Sequence, residues 1–168
     1  MTRTRMLTQI ALLAALALVL GYVESLVPLP SSIYGVRLGL GNICVLLALY
    51  LLNTRSAFMV MVLKVGISVL LFGPPMAIIY SAAGGLLSFA AMWLLKRWNG
   101  VNIIAVSIVA AVLHNTAQVL VATVLLETPA ILLNLPILAI VACVTGTLTG
   151  FVASQVLKAL PETLRPKP

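Results

Sequence analysis

The chain has 168 residues, of which 62% are hydrophobic and only 8% charged, and its mean hydropathy is +1.21. A water-soluble domain carries roughly 25% charged residues, so a globule with this composition could not keep water at its surface, and the soluble classes are excluded. The formal charge of +7 is spread between apolar runs instead of gathering in a patch, which argues against a nucleic-acid partner.

Apolar runs near 20 residues fit a hydrocarbon slab about 30 Å thick. In chain order, the hydropathy pattern predicts membrane spans over 6–24, 38–52, 56–72, 76–95, 102–126 and 130–157. Arg3 and Arg5 precede the first run as they would in a signal peptide. Met6 to Val23 is longer than a usual signal core of about 7–15 residues, and a retained first helix is expected. Connections are marked by Pro28, Pro30 and Gly35, by Asn53 to Arg55, by Gly73-Pro74-Pro75, by Lys96 to Gly100 and by Thr128-Pro129. The second span is short, and Pro136 in the first turns of the sixth predicts a kink or a loose turn. The expectation is an all-α polytopic membrane protein, one domain of six transmembrane helices over 1–168.

Lys and Arg collect at the cytoplasmic ends of spans. With an inside N-terminus, the inner segments hold Arg3, Arg5, Arg55, Lys96, Arg97, Lys158, Arg165 and Lys167, and the outer ones hold Arg37 alone. Both termini are therefore expected in the cytoplasm. The first outer loop, ESLVPLPSSIYGVR, is rich in proline, serine and apolar residues and could fold back over the mouth of the bundle.

Charged side chains deep in lipid are costly and usually face the bundle interior. Lys64 lies near the middle of the third span, as a substrate-binding cation or as a long side chain that snorkels or pairs for packing. The fifth span carries His114, Asn115 and Gln118; His114 and Gln118 share a face, and Asn115 lies about 100° round the helix. Together they suggest a lining for a ligand, beyond the hydrogen-bonding glue a lone amide supplies. Glu24 and Arg37 border the first outer loop, as a salt bridge or as substrate contacts at its mouth; Asn42 and Asn134 are further polar candidates. Small residues recur at helical spacing: Ala11 and Ala15, then Gly84, Gly85 and Ser88, then Ala142, Gly146 and Gly150. Such stripes let helices pack closely, or dock a partner subunit. Cys44 and Cys143 read as small hydrophobes.

Catalysis is not expected. The chain has no Asp, one His and three acidic residues, so neither an Mg²⁺-binding acid cluster nor an oriented nucleophile can be assembled, and no cofactor or metal site is expected. The sequence G-x-x-x-x-G-K is also absent.

The segments ESLVPLPSSIYGVRLGLGN, LKVGISVLLFGPPMAIIYSAAGGLLSF and HNTAQVLVATVL resemble the bacterial Gx transporter family, also called heptaprenyl diphosphate synthase component I. The resemblance covers almost the whole chain. Members look like the S components of energy-coupling factor transporters: six helices, termini inside, a long first outer loop over a site near the outer leaflet. The resemblance implies a multi-pass protein of the bacterial cell membrane that binds a small molecule. Its partners would be an energy-coupling transmembrane subunit and ATPases, docked through an alanine-rich first helix, here Ala11 and Ala15. It marks Glu24, Pro28, Pro30, Gly35, Arg37, Gly39 and Asn42, then Gly73, Pro75, Tyr80, Gly84, Gly85, His114, Asn115 and Gln118, with Lys64 where a basic residue is expected. In a binding role, Lys64 and His114 would attract a polar or anionic head, Asn115 and Gln118 would orient it, and Tyr34 and Tyr80 would hold the apolar body. Two other readings remain open. The chain could anchor a soluble prenyl diphosphate synthase, through its basic tail LKALPETLRPKP, or act alone as a proton-coupled carrier.

Overall fold

A computed structural model describes residues 3–26, 39–72, 75–98 and 100–160, leaving aside the side chains of Ser25 and Phe72. Those residues form six α-helices, α1 (Arg3–Ser25), α2 (Asn42–Leu51), α3 (Thr54–Phe72), α4 (Ala77–Arg97), α5 (Ile103–Leu125) and α6 (Leu135–Ala159), with no strand among them. Five segments, Arg3–Glu24, Thr54–Leu71, Ala77–Arg97, Ile103–Leu125 and Pro129–Ala159, are long and apolar enough to cross a membrane. The protein is a polytopic helical membrane protein. Tyr34, Arg37, Pro28, Pro30, Gly35 and Gly73 lie outside the described residues, and with them the expected Glu24–Arg37 pair and the loop cover.

The second helix departs from expectation. It begins at Asn42, not near 38, and its ten residues reach only about 15 Å, half the hydrocarbon thickness. Gly39 has φ +83°, a left-handed conformation that no α-helix contains and that glycine adopts without a side-chain penalty. A helix this short survives in the bundle because the other five surround it, and Asn42 through Leu49 are all buried. The apolar character of α2 on every side follows from that position.

The remaining helices each turn one stripe toward this centre. On α1 the stripe is Ile10, Ala14, Ala17, Gly21 and Glu24, at alternating spacings of four and three residues. On α6 it is Ala142, Gly146, Gly150 and Ala153, which lie against α5. A Cβ added at Gly146 would stand 2.8 Å from the Ile108 Cα, and one at Gly150 would stand 2.8 Å from the Ile104 Cα. The stripe on α6 is thus consumed by internal packing, whereas Ala11 and Ala15 on α1 are exposed. Ser107 and Thr149 join α5 and α6 with a 2.9 Å hydrogen bond, and Thr116, Thr145 and Thr147 return their hydroxyls to the carbonyl four residues back.

Proline sets the start of α6. Pro129–Asn134 is a 3₁₀ turn, and Pro136 falls in the first turn of the α-helix, where its missing N–H has no partner to lose. The loosened turn expected around Pro136 is found just before it.

Basic residues gather at one pole. Arg3, Arg5, Arg55, Lys96, Arg97 and Lys158 all sit at helix ends on that side, and Lys64 is the other basic residue among those described. Asn53 caps α3 by accepting from the Ser56 N–H at 2.8 Å, and Asn102 caps α5 by accepting from the Ile104 N–H at 3.0 Å. Lys96 donates to the Leu49 carbonyl at the end of α2, which satisfies a terminal acceptor, and lies 5.0 Å from the Tyr50 ring centroid. Arg97 stacks over Trp93 at 4.7 Å.

Candidate ligand site beneath the start of helix two

At the opposite half of the bundle, four helices turn polar groups toward one another. Gly21 and Glu24 come from α1, Lys64, Val65 and Ser68 from α3, Ser81 from α4, and His114 and Gln118 from α5. They line a cavity of about 20 Å³, close to the space of a single water molecule. Every polar side chain in this lining is buried. A lysine, a glutamate, a histidine and a glutamine together in the interior of a bundle this apolar cost solvation that packing alone does not require.

Local geometry shows how the chain brings them together. Lys64, Val65 and Ser68 share one face of α3, and His114 and Gln118 share one face of α5, through spacings of one and four residues. Gly84 on α4 makes room for that face of α5. A Cβ there would stand 2.8 Å from Gln118 Cγ, 2.9 Å from the His114 carbonyl oxygen and 3.0 Å from His114 Nδ1. Gly85 faces the other way, toward Met61 and Val65 of α3.

The start of α2 closes the arrangement. Lys64 Nζ donates to Asn42 Oδ1 at 2.6 Å, and the stem of Lys64 runs beside Gly41, where a Cβ would meet its Cε at 2.9 Å. Glu24 accepts from the Gly39 N–H at 2.8 Å and from the Leu40 N–H at 3.0 Å, one carboxylate oxygen each. The turn ahead of α2 is therefore held by a carboxylate of α1 and a cation of α3.

The structure distributes the expected residues unevenly. Lys64, His114, Gln118 and Glu24 line the cavity, and Asn42 joins them through Lys64. Asn115 turns away: its amide donates to the Leu138 carbonyl of α6 at 3.3 Å. Tyr80 packs in an apolar cluster with Val69, Ala77 and Ala122 and is not part of the lining. Asn134 closes on the Ile131 carbonyl within its own 3₁₀ turn. Gly21, Ser68 and Ser81 were missed from the sequence, although Ser68 is four residues from Lys64 and Gly21 three from Glu24. Among the described residues no three His, Cys, Asp or Glu side chains come together as a metal site.

The sequence profile of the heptaprenyl diphosphate synthase component I family matches residues 13–156, which takes in α2 to α5 whole, α1 from Leu13 onward and α6 as far as Val156. The chain belongs to that family. No curated protein and no solved structure matches it. The matched region of this family member contains every residue that lines the cavity.

Proposed function

We propose that this family member is a substrate-binding membrane subunit, similar to the S components of energy-coupling factor transporters. It would bind a small hydrophobic or amphipathic molecule such as a vitamin, isoprenoid or quinone precursor for uptake. The observation that carries the reading is the cluster of Lys64, Glu24, His114 and Gln118 around one cavity in an otherwise apolar bundle. Binding sites for small organic molecules combine apolar walls with a few placed polar groups, and the surroundings here have that composition. Lys64 supplies the charge, and His114 and Gln118 supply directional hydrogen bonds to a head group.

Orientation follows from the basic pole. Six of the seven described Lys and Arg residues lie there, and the positive-inside rule puts that pole in the cytoplasm. The start of α1 and the end of α6 then face inward, and the cavity lies in the half of the bundle nearer the outside, where uptake of a solute begins. The exposed Ala11 and Ala15 on α1 offer a small-residue face on which an energy-coupling transmembrane subunit and its ATPases could pack. The bacterial cell membrane is the setting this reading requires.

Uptake and binding in cells and vesicles carrying the Lys64→Ala and His114→Ala variants test the site. Loss of both with retained folding is the expected result; unchanged uptake and binding in both variants would refute the assignment. The family's description as a synthase component supports a second reading, in which the chain anchors a soluble prenyl diphosphate synthase. Co-purification separates the two. ATPases and a transmembrane coupling subunit would come with a transport subunit, and a soluble synthase would come with an anchor.

A further inference from the structure

Glu24 occupies an unusual place for a carboxylate. It lies in the last turn of α1, where helix carbonyls point outward and negative charge is disfavoured, and it is only 5% exposed. What holds it is a pair of consecutive backbone N–H groups, those of Gly39 and Leu40, converging on its two oxygens. Successive N–H groups at a left-handed turn form a concave anion seat, and Gly39 has the required φ of +83°. Lys64, which lines the cavity with Glu24, is bound to Asn42 at the next turn of the same segment.

The lining has more polar capacity than Glu24 uses. The Ser81 hydroxyl is buried, faces the same cavity from α4 and has no hydrogen-bond partner among the described residues. The Asn42 amide nitrogen, on the side chain whose oxygen Lys64 holds, is also buried and without a partner among the described residues. Ser81 can donate to an acceptor that enters the cavity, and the Asn42 amide nitrogen lies beyond the lining, beside Gly39. Unsatisfied buried donors are uncommon in folded proteins and call for a reason.

We propose that Glu24 is the resident occupant of an anion site, and that the ligand binds by displacing it with a carboxylate or phosphate of its own. The inference rests on the reading of the cavity as the binding site and gives that site a substrate class. One anion replaces another, so the charge facing Lys64 and the two N–H groups is conserved. Glu24 then turns toward the headgroup level, where its neighbours Val23 and Leu26 are already exposed. Its release uncouples the Gly39–Asn42 turn from α1, which opens a space of about 20 Å³ toward the roughly 300 Å³ or more that a small organic ligand needs. A neutral or cationic head group cannot take the seat, so acidity of the ligand becomes the condition for opening.

The test uses the full chain in detergent with three eight-carbon probes of different charge: octanoate, octanol and octylamine. Calorimetric titration of the wild type and of Glu24→Gln, Glu24→Ala and Lys64→Gln isolates the saturable binding that depends on Lys64. The expected result is octanoate binding in the wild type, at least about tenfold tighter binding in the Glu24 variants because the internal competitor is gone, and none in Lys64→Gln. Folded Glu24 variants that bind octanoate no tighter than the wild type would overturn the proposal. Where those variants do not fold, the wild-type preference decides, and selective octylamine binding would overturn it. Either failure with Lys64-dependent binding of any probe leaves the cavity as the binding site. Lys64-independent behaviour of all three probes would overturn both.

Discussion

Two faces of α5 lie about 100° apart and carry side chains of the same polarity. On one face His114 and Gln118 meet Lys64, Ser81 and Glu24 around a cavity. On the other, Asn115 spends its amide on the Leu138 carbonyl, next to a seam where Gly146 and Gly150 let α6 press against α5. The first face gathers charge and polar groups from four helices in one place, and the second disperses single hydrogen bonds along a helix–helix contact. Polarity inside a membrane bundle therefore does not by itself mark a ligand site. Convergence of several polar groups from different helices does.

The contrast can be broken most severely through the glycines. Gly84→Leu would drive a side chain into the His114 carbonyl, which cannot rotate away, so α4 and α5 must separate. Overpacking of this kind costs about 1–3 kcal/mol or more, and loss of both folded yield and ligand binding is expected, measured by thermal unfolding in detergent. Gly146→Leu would meet the Ile108 backbone across the α5–α6 seam; an equal fall in unfolding temperature is expected there.

Lys64→Met tests the cation. Its loss leaves Asn42 Oδ1 without its donor and Glu24 without the cation across the cavity, and removing one partner from a buried charged pair lowers stability. The unfolding temperature should fall, and substrate binding by the protein that remains folded should fall at least about tenfold. A cation serving only as structural glue would lower the unfolding temperature and leave binding within about twofold. Asn115→Ala should lower stability by only about 0.6 kcal/mol, the usual worth of an interhelical hydrogen bond in a membrane, and leave binding within about twofold. Smallest in its effect on the isolated chain is Ala11→Leu with Ala15→Leu. Both positions are exposed, so unfolding should not change, while co-purification of the proposed coupling subunit should be lost.

Much of this was legible in the sequence, because lipid imposes few solutions. Long apolar runs gave five of the six helices to within a few residues, and the placement of basic residues anticipated the single basic pole. The length of α2 was not legible: an apolar run reads the same whether it spans the bilayer or is wrapped by five other helices, and only the left-handed Gly39 separates the cases. Within the site, Lys64, His114 and Gln118 were visible because charge and helical spacing coincide. Ser68 and Ser81 were not, since a lone serine in an apolar helix usually satisfies itself on its own backbone. The bond from Glu24 to Gly39 and Leu40 joins residues fifteen and sixteen apart across a loop, a relation no local pattern encodes.

The most direct test is a structure of the full chain determined with its bound small molecule. The account predicts a head group within hydrogen-bond distance of Lys64 and of His114 or Gln118, in a cavity enlarged beneath the start of α2. A molecule bound elsewhere, with Lys64 still held by Asn42 and the space between α1, α3, α4 and α5 unchanged, would contradict it.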